Sequence, residues 1–274
     1  MVRYRAHSAM APIPFDRHGV PGTIELVDDF IAAGADVTVT SSAGVAFVSE
    51  LDWTSVAMDA TSGLLSIVVG ESDHQGIIRF ASVLPTSSTQ ALRLKLGRQV
   101  AQEADMPFIL DTNGLYVAAV LRIPTLAATA VAFGLTGVAL TGSGTETPNG
   151  SSLDEIAWVF DDEESAIGAV WIAQVNGAGT DVEKVSGITY VAGDWVLLEI
   201  AADTTGVTFR VTTEDDTETL NIDSSDSSVE PVVSLRPFFG LSPGADGTAG
   251  TYDIDSFALR YIRRQPLVAS WLGQ

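Results

Sequence analysis

Two acidic side chains are the first candidates for catalytic chemistry. Glu50 and Asp52 lie two residues apart in Glu50-Leu51-Asp52-Trp53-Thr54-Ser55. Alternate residues of a β-strand share a face, so both carboxylates would point the same way and could act as nucleophile and acid/base in glycoside hydrolysis. Ser55, three positions after Asp52, offers no further acid to protonate a leaving group. We therefore favour the alternative, a solvated strand face.

A serine nucleophile is the second candidate. Gly240-Leu241-Ser242-Pro243-Gly244 matches the Gly-x-Ser-x-Gly pattern of serine hydrolases, in which the residue after the serine donates its backbone N–H to the oxyanion. Pro243 has no N–H to donate. His7, His18 and His74 are too scattered to supply a base. We predict a strand-ending turn at residues 240–244 and a protein that is not an enzyme.

Acidic clusters and tryptophans are the candidates for metal and sugar binding. Carboxylate oxygens are ligands that Ca²⁺ prefers, but neither residues 161–164 nor the pair Asp253 and Asp255 has the spacing of a calcium loop. We interpret the first as a solvated hairpin tip and the second as an edge or bulge, and we predict no metal and no cofactor. One tryptophan per predicted strand is more typical of a core than of a sugar-stacking platform; these are Trp53, Trp158, Trp171 and Trp195.

Short alternating apolar runs, separated by Gly, Asp, Thr or Ser, must position these groups. Residues 115–123 place an apolar side chain at every second position, and Pro124 ends the run. Near the C-terminus Tyr252 and Ile254 share one phase, whereas Phe257, Leu259 and Tyr261 share the other, which predicts a β-bulge near Asp255 and Ser256. The pattern predicts an all-β fold of two packed antiparallel sheets.

Composition limits the classes of partner. The 274 residues include no cysteine, so no disulfide or thiolate metal site is expected, and the net charge of -21 disfavours nucleic acid and anionic lipid as ligands. No apolar run approaches the ~18 residues that span a bilayer, and no signal peptide is evident. We expect a soluble protein that binds neither nucleic acid nor membrane and is not exported by the usual route.

The basic residues concentrate at the two ends. Between Ile123 and Leu259 only Lys184, Arg210 and Arg236 are basic. We predict three parts: an extended N-terminal arm at 1–23, a sandwich domain at 24–262 and a C-terminal docking tail at 263–274. The alternative is ordinary frayed termini. The predicted partner-binding residues of the two ends are Arg3, Tyr4, Arg5, Phe15, Arg17, Arg263, Arg264, Leu267 and Trp271.

Four short segments resemble the concanavalin A-like (laminin G-like) jelly-roll group over about residues 24–262. They are Val27-Asp28-Asp29-Phe30, Phe133-Gly134-Leu135, Phe239-Gly240-Leu241 and Tyr252-Asp253-Ile254-Asp255. Glycosidases of this group carry Glu-x-Asp-x-x-Glu, where this chain has Ser55 at the last position and places the segment nearer the N-terminus. Within the group the chain is most similar to bacteriophage virion proteins.

The resemblance implies a jelly-roll body without catalytic machinery. On that basis we expect a non-enzymatic virion protein, a bacteriophage capsid-associated or decoration protein that binds neighbouring capsid or tail subunits through its arms and forms a homo-oligomer. The alternative is a carbohydrate-binding, lectin-like module of a phage tail or cell surface, with a glycan as its ligand. A polysaccharide hydrolase or lyase is a third, weaker hypothesis, because it requires converging acids or a His/Tyr pair.

Overall fold

The computed structural model describes residues 23–30, 37–39, 45–48, 51–57, 62–68, 74, 76–83, 92–96, 108–109, 114–126, 129–137, 155–161, 169–177, 180–223, 234–243 and 250–262. These residues are strands and their connections, without a helix. Among them no helix is therefore long and apolar enough to cross a membrane. In chain order the strands are β1 (Thr23–Asp28), β2 (Val37–Val39), β3 (Val45–Val48), β4 (Asp52–Ala57), β5 (Ser62–Ile67), β6 (Ile78–Val83), β7 (Leu92–Leu96), β8 (Phe108–Ile109), β9 (Leu115–Arg122), β10 (Thr129–Thr136), β11 (Glu155–Asp161), β12 (Val170–Gly177), β13 (Thr180–Thr189), β14 (Val196–Asp203), β15 (Gly206–Thr212), β16 (Thr217–Asp223), β17 (Ser234–Pro243) and β18 (Thr251–Ile262).

The strands form two antiparallel sheets. Sheet I has the order β16-β15-β14-β9-β18-β6-β5-β2, and β1 also pairs with β18. Sheet II has the order β13-β12-β11-β10-β17-β7-β4-β3, and β8 also pairs with β17. The strand β18 is long enough to pair with β6 through its first residues and with β1 through its last. The predicted two-sheet antiparallel jelly-roll sandwich is confirmed.

The inner faces of the two sheets enclose one apolar core. Along β9, Leu115, Val117, Ala119 and Leu121 all face it, as their spacing predicts. The rings of Trp53 and Phe257 meet edge to face at 5.1 Å between centroids, and those of Trp158 and Phe209 do so at 5.4 Å. Trp53, Trp158 and Trp171 are fully buried, which confirms that these three tryptophans belong to the core.

The contacts of Asp28 show the structural role of the Val27-Asp28-Asp29-Phe30 segment. Its buried carboxylate accepts hydrogen bonds from the Phe30 backbone N–H at 2.9 Å, the Leu51 N–H at 3.2 Å and the indole Nε1 of Trp53 at 2.8 Å. Phe30 has a φ of 54°, in the left-handed region, which the Asp28 turn stabilises. Since β1 belongs to sheet I and β4 to sheet II, this one carboxylate ties the two sheets together.

The predicted bulge in β18 is confirmed. Ile254 pairs with Leu121 and Ser256 with Val120, so Asp255 is the extra residue on β18. Because of the extra residue, Tyr252 and Ile254, which precede the bulge, and Phe257 and Leu259, which follow it, all face the core. It also leaves Asp253 and Asp255 together on the outside of the core, where they take part in the cluster described below.

The predicted turn at residues 240–244 is wrong for its first four positions. They lie in β17, which pairs with β10 as far as Pro243 opposite Thr129. A proline is tolerated at the end of a strand, where its missing N–H breaks no ladder bond. Ser242 therefore lies in a strand and not on the sharp strand-to-helix turn that exposes the nucleophile of serine hydrolases.

One side of the sandwich is closed by contacts between its two edge strands. Lys184 on β13 donates from Nζ to the Asn221 carbonyl on β16 at 2.6 Å. The Glu218 carboxylate accepts from Ser186 Oγ and from the Gly187 N–H, both at 2.7 Å. Because these bonds occupy groups of both edges, they limit edge-to-edge pairing with another chain. The acidic hairpin turn at 214–216 connects β15 to β16 and is exposed.

Candidate functional site

The catalytic and docking residues proposed from sequence lie largely outside the described residues. These are Glu50, His7, His18, 162–164 and all nine residues of the two ends, from Arg3 to Arg17 and from Arg263 to Trp271. The docking hypothesis therefore stays a prediction. No group of three or more His, Asp or Glu side chains that could hold a metal ion occurs in the described part of the chain.

Polar side chains instead meet on the outer face of sheet II. Alternation along β12 places Gln174 and Asn176 on the face opposite the buried Ala173 and Val175. Across the sheet Asn176 lies opposite Glu155, Glu155 opposite Thr136, and Thr136 opposite Arg236. Gln174 lies opposite Glu183 on β13. We call these six residues the polar face: Thr136, Glu155, Gln174, Asn176, Glu183 and Arg236.

The polar face holds buried amide atoms without partners. Asn176 is 2% exposed, and neither its Oδ1 nor its Nδ2 has a hydrogen-bond partner among the described residues. Gln174 is 3% exposed; its Nε2 donates to Glu183 Oε1 at 2.9 Å, whereas its Oε1 has no partner there. Leaving a buried polar group unsatisfied costs about 1–3 kcal/mol. Such groups recover that free energy when a hydroxyl reaches them, and because they are buried this requires the residues that cover them to move aside.

Small residues lie beside this polar row. The next positions across β11 and β10 are Ala157 and Gly134, which lie opposite each other, and Phe238 follows on β17. All three strands bring their buried apolar positions to the same outer face, where Ala132, Ala157, Val159 and Phe238 form a second apolar cluster. The face therefore combines a row of hydrogen-bonding groups with adjacent apolar side chains that are themselves buried.

A second polar cluster lies on sheet I, around Asp253. This carboxylate is fully buried, and it accepts from Arg79 Nε at 2.7 Å, Arg79 Nη2 at 2.9 Å and Arg122 Nε at 2.9 Å. The register places Asp253 directly between the two arginines, on β6 and β9. The hydrogen bonds that Arg79 donates to Asp253 raise the pKa of the Arg79 guanidinium, although burial lowers it by less.

Trp195 and His74 extend this arrangement. The imidazole of His74 stacks on the Trp195 ring at 4.1 Å between centroids, and its Nδ1 lies 3.1 Å from Asp255 Oδ2. The Arg122 guanidinium lies 4.6 Å from the Trp195 ring centroid, within cation–π range. We call these six residues the arginine cluster: His74, Arg79, Arg122, Trp195, Asp253 and Asp255.

A buried tyrosine fixes the loop that carries Trp195. The Tyr190 hydroxyl donates to the Asp194 carbonyl at 2.7 Å and accepts from the Ile123 N–H at 2.7 Å. Gly193, with a φ of +89°, lets the chain turn so that its N–H reaches the Ile123 carbonyl at 2.8 Å. Burial raises the pKa of Tyr190, so its hydroxyl keeps its proton at neutral pH.

Glu199 is a third buried acid, in the middle of sheet I. It accepts a hydrogen bond from the Tyr116 hydroxyl at 2.6 Å, and its Oε2 lies 3.6 Å from Arg210 Nε. Burial raises the pKa of Glu199 above its usual value, and the Tyr116 hydrogen bond and the Arg210 charge lower it by less. Burial also raises the pKa of Tyr116, which stays a donor.

The raised pKa of Glu199 predicts a measurable pH dependence of stability. The folded protein binds the Glu199 proton more tightly than the unfolded chain does, so protonation stabilises the folded state. This contribution to the free energy of unfolding is complete below the pKa that Glu199 has in the unfolded chain. It is lost as the pH rises through the higher pKa that Glu199 has in the folded protein. Glu199→Gln keeps an acceptor for Tyr116 and should remove this decline. Urea unfolding from about pH 4 to about pH 8 tests it, with the exposed Glu214→Gln as control. Parallel curves for parent and Glu199→Gln would contradict the prediction.

Comparison with solved structures identifies the fold of this chain. No family model matches the chain, and no curated protein matches it. Among solved structures, the lectin UEA-II complexed with galactose is 13% identical with a TM-score of 0.51, covering 86% of this chain and 97% of that one. The seed lectin of Lotus tetragonolobus is 12% identical with a TM-score of 0.52, covering 88% and 100%.

A further match is the winged bean acidic lectin complexed with methyl-α-D-galactose. It is 10% identical with a TM-score of 0.52, covering 89% of this chain and all of that one. The fold is the concanavalin A-like jelly roll of the legume lectins. At these identities the likeness concerns the fold, and the expected relation to bacteriophage virion proteins stays a prediction.

Sequence reasoning missed both clusters. Glu155, Gln174 and Asn176 each occupy an alternate position in an apolar run, a pattern that indicates a polar outer face but not which strands adjoin. Arg79, Arg122 and Asp253 lie far apart along the chain and meet only through strand order. The predicted bulge or edge role is confirmed as a bulge for Asp255. It is wrong for Asp253, which pairs with Arg79 and Arg122 on the two strands beside β18, and these basic partners carried no sequence signature.

Proposed function

We propose that this protein is a non-enzymatic glycan-binding module that binds saccharide hydroxyls on the polar face of sheet II. The observation that carries the proposal is the pair of buried side-chain amides, Asn176 and Gln174, with three polar atoms lacking partners among the described residues. The solved lectin structures of the same fold support it, two of them complexed with galactose or a galactoside.

The chemistry of the polar face suits a sugar. A side-chain amide offers two donors and an acceptor in one plane, so it can bind a hydroxyl that both donates and accepts. Glu155 lies next to Asn176 across the sheet and can contribute a carboxylate acceptor. Glu183 is exposed at the β13 side of the face and already orients Gln174. Side chains held by neighbours lose less entropy when a ligand binds.

The tryptophans contribute little to this proposal. Trp53, Trp158 and Trp171 are buried between the sheets, and Trp195 lies on sheet I against His74 and Arg122. Binding would then depend on hydrogen bonds rather than on ring stacking, because Ala157 and Phe238 beside the polar face are themselves buried. We expect modest affinity for a single sugar and a strong dependence on the positions of its hydroxyls.

The test is glycan binding by parent and Asn176 variants. We expect the parent to bind neutral glycans on an array, and Asn176→Ala to lower the affinity for the best of them at least about tenfold by calorimetry, since one or two hydrogen bonds are lost. The matched control is Asn221→Ala, an exposed asparagine of β16 on the other sheet. It should bind like the parent.

Stability separates a binding role from a structural one. Because Asn176→Ala removes two buried atoms without partners among the described residues, its free energy of unfolding should equal or exceed that of the parent. Lost binding in a protein that remains fully stable supports the proposal. Binding that survives Asn176→Ala, or an array without any bound glycan, overturns it.

The virion role remains a second candidate. It is supported by the basic and aromatic residues concentrated at 1–23 and 263–274, which suit arms that lie on neighbouring subunits. A glycan-binding module on a virion tail would combine the two hypotheses.

A further inference from the structure

The arginine cluster of sheet I presents hydrogen-bond donors outward and keeps its acids inside. Both Asp253 oxygens accept from arginine, and this carboxylate is fully buried. Asp255 is 5% exposed and faces His74. The groups with the larger exposure are the side chains of Arg79, at 36%, Arg122, at 16%, and His74, at 14%.

Arg79 is the most available of these groups. A guanidinium has five N–H donors in one plane, and Asp253 uses one on Nε and one on Nη2. Three donors therefore remain on a side chain that the carboxylate holds in a fixed orientation. The planar fork of arginine matches the oxygens of a carboxylate or sulfate.

The cluster has no excess of negative charge. Its two guanidinium groups are balanced by the two carboxylates of Asp253 and Asp255, so the outward donors of Arg79 are not opposed by an uncompensated acid. His74 lies against Trp195 and near Asp255, which orients the imidazole beside the same cluster. The chain has a net charge of -21, and at this position a buried acid holds a guanidinium group that faces outward.

We propose that the arginine cluster is a second binding site, separate from the polar face, that takes an oxyanion such as a sulfate or carboxylate group. Arg79 forms the fork that meets the oxyanion, Asp253 positions Arg79, and Trp195 supports Arg122 and His74 beside it. The oxyanion could be a free ion or the acidic group of a saccharide. The site does not depend on the glycan-binding proposal, because the two clusters lie on different sheets.

The indole of Trp195 provides a direct measurement. Its Nε1–H is buried and has no partner among the described residues, and its ring contacts both His74 and Arg122. Its resonance is one of five tryptophan indole signals in a ¹H–¹⁵N spectrum and is assigned by its loss in Trp195→Phe. Titrants are sodium sulfate against sodium chloride at equal ionic strength, and sodium glucuronate against glucose with sodium chloride.

We expect saturable shifts of the Trp195 signal with an oxyanion and not with chloride or glucose. Shifts with both sulfate and glucuronate indicate a site for oxyanions in general, and shifts with glucuronate alone indicate an acidic saccharide; both support the proposal. Equal shifts with chloride, or none with either oxyanion, overturn it. This comparison uses the parent protein and does not depend on any variant folding.

Variants then locate the site. Arg79→Gln should weaken oxyanion binding at least tenfold, whereas Arg79→Lys, which keeps the charge but loses the fork, should fall between it and the parent. The matched control is Arg210→Gln, an arginine of the same sheet with 33% side-chain exposure, whose titration should equal that of the parent. Equal weakening by Arg210→Gln would show a general charge effect and overturn the assignment. Asn176→Ala should leave the oxyanion titration unchanged, which separates this test from that of the polar face.

Discussion

Asp253→Asn should lower the free energy of unfolding by about 3 kcal/mol, because removing one member of a buried ion pair leaves the other charges without compensation. In the parent the carboxylate accepts three hydrogen bonds from Arg79 and Arg122. Asparagine keeps the shape but offers one acceptor oxygen and turns an NH₂ group toward a guanidinium. The like charges of Arg79 and Arg122, on the strands at either side of β18, would then lie next to each other without a counter-charge between them.

Urea unfolding at constant ionic strength measures this effect. The control is Asp223→Asn, which removes the same charge at an exposed end of β16 and should change stability by no more than about 0.5 kcal/mol. A double-mutant cycle with Arg79→Gln should show a coupling of about 1 kcal/mol or more between the two residues. Equal stability of Asp253→Asn and Asp223→Asn would show that the ion pairs contribute nothing net.

Gly134→Ala should destabilise the fold by about 3 kcal/mol or prevent folding. The added Cβ would clash with backbone atoms of the neighbouring strand, which cannot move aside at a low cost in free energy. A Cβ at this position would lie 2.7 Å from the Ala157 Cα and in still closer conflict with the Ile156 carbonyl. Both atoms belong to β11, the paired neighbour of β10. The two strands would have to separate in the centre of sheet II, beneath the polar face.

Gly187→Ala is the matched control for this substitution. It also lies in a strand of sheet II, but its added Cβ would come no nearer than 3.8 Å to the flexible Glu218 carboxylate. Thermal unfolding followed by circular dichroism compares the two variants. Similar melting temperatures would mean that β10 and β11 can move apart at little cost, and the explanation of Gly134 by close strand approach would be wrong.

The resemblance of four short segments to the concanavalin A-like group predicted the fold correctly, because residues of these segments have structural roles. Asp28 ties β1 to β4, Gly134 permits the close approach of β10 and β11, and Tyr252 and Asp253 face opposite sides of β18. Sequence could reveal the alternation but not these contacts. Residues 240–244, which match the Gly-x-Ser-x-Gly pattern, were predicted as a turn because Gly and Pro favour turns locally. Pairing with β10 instead keeps the first four of them in a strand.

By itself the sequence determined the local properties of this protein. The period of two in its apolar runs specifies strands, their number and length require two packed sheets, and the change of phase near Asp255 requires a bulge, because each depends only on neighbours along the chain. Strand order was decided only in the tertiary structure.

That order places Asn176, Glu155, Thr136 and Arg236 in one row, and Arg79 and Arg122 on either side of Asp253. These residues are up to 174 positions apart along the chain. Their contacts arise because burying both apolar faces fixes which strands adjoin, a collective condition that no local pattern contains. Both candidate sites therefore follow from the packing of the core, although none of their polar atoms takes part in it.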